Sequence, residues 1–271
     1  HETYYDCPYY EQLQYTGDTR IQALISLYVS GDDRLMRKAI NDFEYSLVSE
    51  GLTQSRYPSN APQFIPPYSL FWISMIHDYW MHKADRKFVE DKLRNINNVI
   101  QWHKQYMDCN DMMKAPPWWN FVDWAKEWTW SRDNYLGGVP KGGNNGYSSI
   151  LNLQFVYVLN QASELFRNFG RKNLANEYEN LAQKIKNSVY ETCWVSNKGL
   201  IADTPEETCF SQHANILAVI TNMFKKEKQK EVMQQVVKND SLIQTTMYYR
   251  FYLFRALDKA DMEAEFFNEL E

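Results

Sequence analysis

The chain has 271 residues, 44% of them hydrophobic and 23% charged, with a net charge of −5 at pH 7. A chain of this length buries roughly three quarters of its unfolded surface, and this balance of residues excludes a disordered protein. The acidic balance argues against a nucleic-acid binder. No apolar run reaches the ~18 residues of a membrane span, since the longest candidate, 68–80, is broken by His77 and Asp78.

Helical periodicity dominates, in two alternating kinds. Segment 19–30 is apolar on most faces (Ile21, Leu24, Ile25, Leu27, Tyr28, Val29), whereas 33–49 carries a single stripe of Met36, Ile40, Phe43 and Leu47. Segment 68–83 is again apolar nearly all round, and 86–107 returns to one stripe of Val89, Leu93, Ile96 and Ile100. The alternation recurs in 148–169 and 171–190, in 211–224 and 226–238, and in 242–258 and 261–271. A helix apolar all round is buried on every side, and a one-stripe helix lies at the surface. The order is therefore inner, outer, five times over.

Connections from inner to outer segments are tiny: Gly31-Asp32, Asp85, Gly170, Lys225 and Lys259-Ala260. Connections from outer to inner are mostly long, at 51–67, 108–147 and 191–210. If all inner helices run the same way, the long loops gather at one end. This predicts an all-α fold, a double ring of helices forming an α/α barrel with a cleft at one end and strands only in the long loops. An α-solenoid is the alternative, but the inner helices start near 19, 68, 148, 211 and 242, without the fixed period a solenoid keeps. The loops hold the unusual chemistry, including the Trp cluster 118–130 and the Gly-rich 137–146. That glycine stretch lacks the order of a phosphate-binding loop.

Cys7, Cys109, Cys193 and Cys209 form no CxxC pair. Cys193 and Cys209 are placed to meet across a loop, though unpaired, partly buried thiols fit the pattern better. The histidines show no ligand spacing, so neither a metal site nor a cofactor is expected. The chain starts His-Glu-Thr-Tyr-Tyr, without an initiator Met or signal pattern, and stops inside a helical pattern. It reads as a piece of a longer protein.

The segment with most chemistry is 6–18, Asp-Cys-Pro-Tyr-Tyr-Glu-Gln-Leu-Gln-Tyr-Thr-Gly-Asp. It places Asp6, Glu11 and Asp18 among aromatic residues just before the first inner helix. Like charges held together raise at least one carboxyl pKa, and a carboxylic acid protonated near neutrality is what protonating a glycosidic oxygen needs. A structural reading stands beside this one: Asp18 precedes Thr19-Arg20-Ile21, where an N-cap belongs.

This segment resembles the signature of the α-L-rhamnosidases of glycoside hydrolase family 78, Asp-Cys-Pro-x-Arg-Glu-Arg-x-x-Trp-x-Gly-Asp. Asp6, Cys7, Pro8, Glu11, Gly17 and Asp18 match at the family's spacing. Looser likeness continues through Phe121-Val122-Asp123-Trp124 and Ser211-Gln212-His213. The resemblance implies that 1–271 is a catalytic domain of the six-hairpin (α/α)6 barrel type, here incomplete with about five hairpins, within a longer chain carrying accessory β-domains. It implies an inverting glycosidase that releases terminal α-L-rhamnose, with Glu11 as general acid, Asp6 and Asp18 beside it, and Tyr10, Tyr15, Asp123, Trp124 and His213 toward the sugar. It implies no cofactor, no metal and no partner other than a rhamnose-containing glycan or glycoside. A bacterial, periplasmic or extracellular setting goes with it.

Three positions depart from the signature: Tyr10 and Gln12 replace the arginines flanking the Glu, and Tyr15 replaces the Trp. Arg20, Arg56 and Arg132 lie near enough in sequence to cleft-side segments to substitute for them. The family's general base lies in a Trp-Glu-like segment after the helix resembled by 261–271, so Glu269 and Glu271 are not assigned to that role. A structural reading accompanies each remaining site residue. Several tryptophans in 118–130 would pin their loop to the barrel, and His213 would serve as a hydrogen-bonded core histidine. The competing functional class is a carbohydrate-binding barrel that kept the cleft and lost the chemistry, or a related glycosidase with another sugar preference.

Overall fold

A computed structural model describes residues 2–130, 136–206 and 208–268. The helices follow the two patterns closely: α1 (Thr16–Ser30), α2 (Arg34–Tyr45), α3 (Pro66–Lys83), α4 (Arg86–Glu90), α5 (Leu93–Lys104), α6 (Ser149–Asn168) and α7 (Lys172–Cys193). A hairpin of two short strands, β1 (Trp194–Val195) and β2 (Leu200–Ile201), comes next, paired antiparallel with Trp194 opposite Ile201. The helices α8 (Gln212–Ile220), α9 (Lys226–Lys238), α10 (Met247–Lys259) and α11 (Glu265–Asn268) complete the described chain.

The chain divides into two compact units, one of residues 1–106 and 158–180 and one of 107–157 and 181–271. In the first, the inner helices α1 and α3 pack on each other, with α2 and α5 against α3. In the second, the inner helices α8 and α10 are neighbours and α9 packs on both. The pattern reading and the packing agree inside each unit: α3 buries Leu70, Phe71, Trp72, Ile73, Met75, Ile76 and Tyr79, while α2 buries only the stripe of Met36, Ala39, Ile40 and Phe43.

Short turns close the inner-to-outer corners. Gly31 adopts a left-handed φ of 68° and returns its N–H to Leu27 O at 3.0 Å, a conformation that glycine adopts without steric cost. The opposite ends of the inner helices are stitched to the long loops by backbone bonds. Thr16 N–H donates to Ser55 O (3.0 Å), Ser149 N–H to Asp203 O (2.9 Å) and Gln212 N–H to Ile243 O (2.9 Å). Within each unit, then, the loops preceding successive inner helices lie side by side.

Four details differ from the sequence expectation. The outer segment 86–107 breaks into α4 and α5 at Asp91-Lys92, where Lys92 turns inward to pair with Glu44. Helix α10 starts at Met247, because 242–246 runs extended and gives Ile243 to the pairing with Ser211. On α1, Ala23, Leu24 and Leu27 are buried, but Ile25, Tyr28 and Val29 are exposed, so this inner helix is apolar on a face it does not bury here. Asp18 is the third residue of α1, not its cap: Tyr15 precedes the helix and makes no side-chain capping bond.

One charged pair crosses the apolar layer between α1 and α3. Arg20 Nε donates to Asp78 Oδ2 at 2.7 Å and Nη2 to Oδ1 at 3.4 Å, with the guanidinium fully buried beside the Phe71 ring. Arg20 is therefore committed to the core and does not stand in for a missing cleft arginine. A buried pair of this kind is costly to break one side at a time, because the remaining charge keeps its desolvation penalty. Asp78→Asn should lower unfolding stability by about 3–5 kcal/mol, read from urea midpoints. The paired replacement Arg20→Met with Asp78→Leu should recover most of that loss.

Candidate active site

The segment 6–18 sits in the first unit as a folded loop leading into α1. Asp6 closes it: its N–H donates to Leu13 O (2.8 Å) and its Oδ1 accepts from Leu13 N–H (2.9 Å). Inside that loop the Cys7 thiol donates to Glu11 Oε2 at 2.6 Å, and its sulfur accepts the N–H groups of Tyr10 (3.3 Å) and Glu11 (3.2 Å). Gln12, at a left-handed φ of 52°, donates its side-chain amide to Pro8 O (2.8 Å). Downstream, Gln14 is buried and anchors the loop to Asp42 and to Tyr57 O.

Asp6, Cys7 and Glu11 each bring one ligand-type atom within 4.8 Å of the others. The thiol–carboxylate hydrogen bond joins Cys7 to Glu11, and the bonds to Leu13 hold Asp6 beside them. Electrostatically, the motif's carboxyls divide. Burial pushes the half-buried Asp18 up to about 6, overriding the hydrogen bond from its own N–H, and the Asp6 charge adds to the rise. Glu11 is exposed, and the Cys7 hydrogen bond holds its carboxyl below the usual range. One carboxyl of the motif is thus raised, chiefly by burial and only secondarily by the neighbouring acid, and that group is Asp18.

Tyr10 and its neighbour Tyr9 are 82% and 79% exposed, with rings edge to face at 4.9 Å. Tyr15 is half-buried, and its hydroxyl accepts from Arg56 Nη1 at 3.1 Å while the guanidinium lies over its ring. Of the arginines considered for the place of the missing ones, Arg56 lies beside the motif, against Tyr15. Arg132, like Glu269 and Glu271, lies outside the described residues.

The second unit holds Asp123, Trp124 and His213. Asp123 is fully buried: its Oδ2 accepts from Thr246 N–H (2.8 Å) and from His213 Nε2 (2.8 Å), and its Oδ1 from the Thr246 hydroxyl. The His213 ring is also fully buried, between Trp128 and Tyr249, each with its centroid 4.5 Å away. With Nε2 donating to Asp123, His213 Nδ1 and the nearby Trp128 Nε1 make no hydrogen bond to the described residues. Trp124 is 57% exposed and sits in a cluster with Trp119 and Phe121.

The glycines serve this loop. Gly138, at φ 72°, receives Val122 N–H on its carbonyl, and a Cβ there would stand 2.3 Å from the Phe121 ring. Thr246 was not foreseen. It lies at the N-terminal end of an inner helix, and its partner is 123 residues away, a pairing no local pattern shows. All four cysteines are free thiols, and no described helix is long and apolar enough to cross a membrane.

The family model of the bacterial alpha-L-rhamnosidase six-hairpin glycosidase domain matches residues 1–266. The chain belongs to this family. Its fold is that of solved rhamnosidases. It matches one from Klebsiella oxytoca, solved with rhamnose bound, at a TM-score of 0.84 and 19% identity over 99% of this chain and 50% of that one. A family 78 rhamnosidase of Bacillus sp. GL1 matches at 0.86 and 21% over 99% of this chain and 27% of that one. The Streptomyces avermitilis alpha-L-rhamnosidase, complexed with L-rhamnose, matches at 0.70 and 16% over 93% and 22%. The chain thus spans half or less of the length of these proteins. No curated protein matches it in sequence. With these neighbours, the all-α architecture is that of the six-hairpin glycosidases, in keeping with an incomplete α/α barrel.

The Asp18 environment carries a pH signature for this rhamnosidase-family domain. Its folded pKa, about 6, lies above the ordinary carboxylate value, so the folded state binds this proton more tightly than the unfolded one. The associated stability is complete below about pH 4 and is lost as pH rises through 6. Asp18→Asn cannot ionise and escapes the loss. Urea midpoints at pH 4 and pH 7 should show the variant gaining on wild type by about 2–3 kcal/mol between the two.

Proposed function

We propose that this domain hydrolyses terminal α-L-rhamnosides with inversion, and that Glu11 is the general acid. The observation that carries the reading is the loop 6–18. It sets Glu11 in an exposed position with Asp6 within reach, and leads into α1, whose first turn carries Asp18, in a chain whose family model is that of rhamnosidase domains. Glu11, protonated, gives its proton to the glycosidic oxygen as the bond from that oxygen to the anomeric carbon breaks. A water on the opposite face adds its hydroxide to the anomeric carbon and yields its proton to a second carboxylate about 6.5–9.5 Å from the first. The resemblance places that base after the region resembled by 261–271. Rhamnose bound to the Klebsiella and Streptomyces neighbours is consistent with the substrate class.

Asp6 and Asp18 supply acceptors for sugar hydroxyls in this reading. The exposed ring of Tyr10 supplies a flat surface for its C–H face, and Tyr15 with Arg56 supplies a hydroxyl and a cation beside the motif; the exposed ring of Trp124 is given a sugar-facing part by the resemblance alone. Asp123 and His213 are buried, so their part runs through Thr246 and the loop they hold. A periplasmic or extracellular site of action and accessory β-domains belong to the same proposal.

A second assignment rests on one observation, the elevation of Asp18 to about 6, which makes it the carboxyl that retains a proton nearest neutrality. One experiment separates the two. In the full-length protein, Glu11→Gln should cut hydrolysis of a rhamnoside with an alkyl or sugar leaving group by about 10²–10⁴-fold, while an aryl rhamnoside with an acidic phenol loses far less. If that leaving-group signature appears in Asp18→Asn and not in Glu11→Gln, the acid is Asp18.

A further inference from the structure

The loop 6–18 contains one side chain that touches Glu11 and has no part in the reaction as described so far. We infer that Cys7 is a positioning residue for the general acid, holding Glu11 Oε2 through its thiol while its sulfur fixes the Tyr10 and Glu11 backbone, so that Oε1 is the oxygen presented to the leaving group. This rests on the reading of Glu11 as the acid.

The geometry uses the full capacity of a thiol. Sulfur has one proton to give and lone pairs to accept with, and here the proton goes to Glu11 Oε2 at 2.6 Å while the lone pairs take two backbone N–H groups at 3.3 and 3.2 Å. The backbone bonds fix where the sulfur stands, and they leave the proton one carboxylate to point at. Besides the thiol, the N–H of Glu11 itself bonds the carboxyl and lowers its pKa in the same direction, the thiol having the larger effect. Asp6 and Cys7 each bring an acidic group within 4.8 Å of the Glu11 carboxyl, and the Asp6 charge also reaches Asp18 on α1.

A donor aimed at Oε2 favours the carboxylate over the acid. It therefore stabilises the charge that appears on Glu11 as its proton leaves, and it lowers the pH above which the acid is spent. Both effects have a sign. Removing the donor should move the basic limb of the pH–rate profile upward and slow hydrolysis of a rhamnoside with a poor leaving group by about tenfold.

The test takes Cys7→Ala, Cys7→Val and Cys7→Ser in the full-length protein, with Glu11→Gln alongside, on two rhamnosides of poor and good leaving groups from pH 4 to 9. Valine fills the sulfur's volume without a donor, so it serves if alanine fails to fold. The carboxyl titration of Glu11, followed by NMR, supplies a readout that needs no turnover. The inference predicts an upward shift of the limb and of the Glu11 titration in Cys7→Ala or Cys7→Val, a larger rate loss on the poor leaving group, and values near wild type in Cys7→Ser. An unmoved limb and titration, with equal losses on both substrates, overturns it and leaves Cys7 as loop support. A Glu11→Gln variant that loses both substrates equally overturns the acid assignment itself, and the inference with it. That outcome is distinct because it is read in a different variant.

Discussion

The constraint on which the structure depends is that helices apolar on nearly every face have nowhere to send their unpaired backbone groups except to each other's loops. The first N–H groups of any helix lack intrahelical partners, and when the helix is wrapped in other helices water does not reach them. Here Thr16, Ser149 and Gln212 donate to Ser55, Asp203 and Ile243, which belong to the loops leading to the next inner helix. Those loops must therefore pass over the helix starts. Side chains extend the same logic, as where Asn152 accepts Met113 N–H at 2.7 Å and returns its amide to Met113 O. Satisfying buried backbone thus holds the long loops over the inner-helix starts within each unit.

What was legible in the sequence follows from the same physics. Burial on all sides demands apolar residues on all sides, so the inner and outer layers could be read from periodicity alone. The tight corners could be read because Gly31 and Gly170 adopt the left-handed conformation that ends a helix. The errors fall where the deciding partner is remote. Arg20 looked available for a cleft because its counter-ion, Asp78, lies 58 residues away on another inner helix. Asp18 looked like a cap because an acid suits both the position before a helix and its first turn, and only the path of the chain through Tyr15 tells them apart. Thr246 gave no signal because Asp123 reaches it from a loop that no local rule positions.

The buried cluster around Asp123 shows how the second unit keeps a loop rich in tryptophan in one arrangement. A carboxylate with no access to water must have its oxygens filled, and Thr246 and His213 fill them. The His213 ring is then clamped between Trp128 and Tyr249. From this anchor Trp124 emerges toward solvent, backed by Phe121, whose ring in turn closes over Gly138. An exposed aromatic ring held by a buried polar cluster loses little entropy when a flat ligand covers it, which is what the sugar contact proposed for Trp124 would require.

The carboxyls of the motif bring these threads together. Asp18, in the first turn of α1, feels a helix dipole that favours its charged form by roughly 0.3–1 kcal/mol. Its rise to about 6 corresponds to roughly 3 kcal/mol in the opposite direction, so burial outweighs the dipole severalfold. Glu11 is released from burial and drawn down by a thiol. Two acids of similar intrinsic strength are thereby driven apart by environment, the arrangement from which acid and base roles are ordinarily built. The free site leaves Glu11 ionised and Asp18 largely protonated in mildly acidic water. For the proposed reaction the bound sugar must reverse the order for Glu11. Covering an exposed carboxylate beside Asp6 does so by the two effects that raise any carboxyl pKa, lost solvation and a neighbouring negative charge. On this account the acid is armed by the substrate, and an empty cleft holds Glu11 in its resting form.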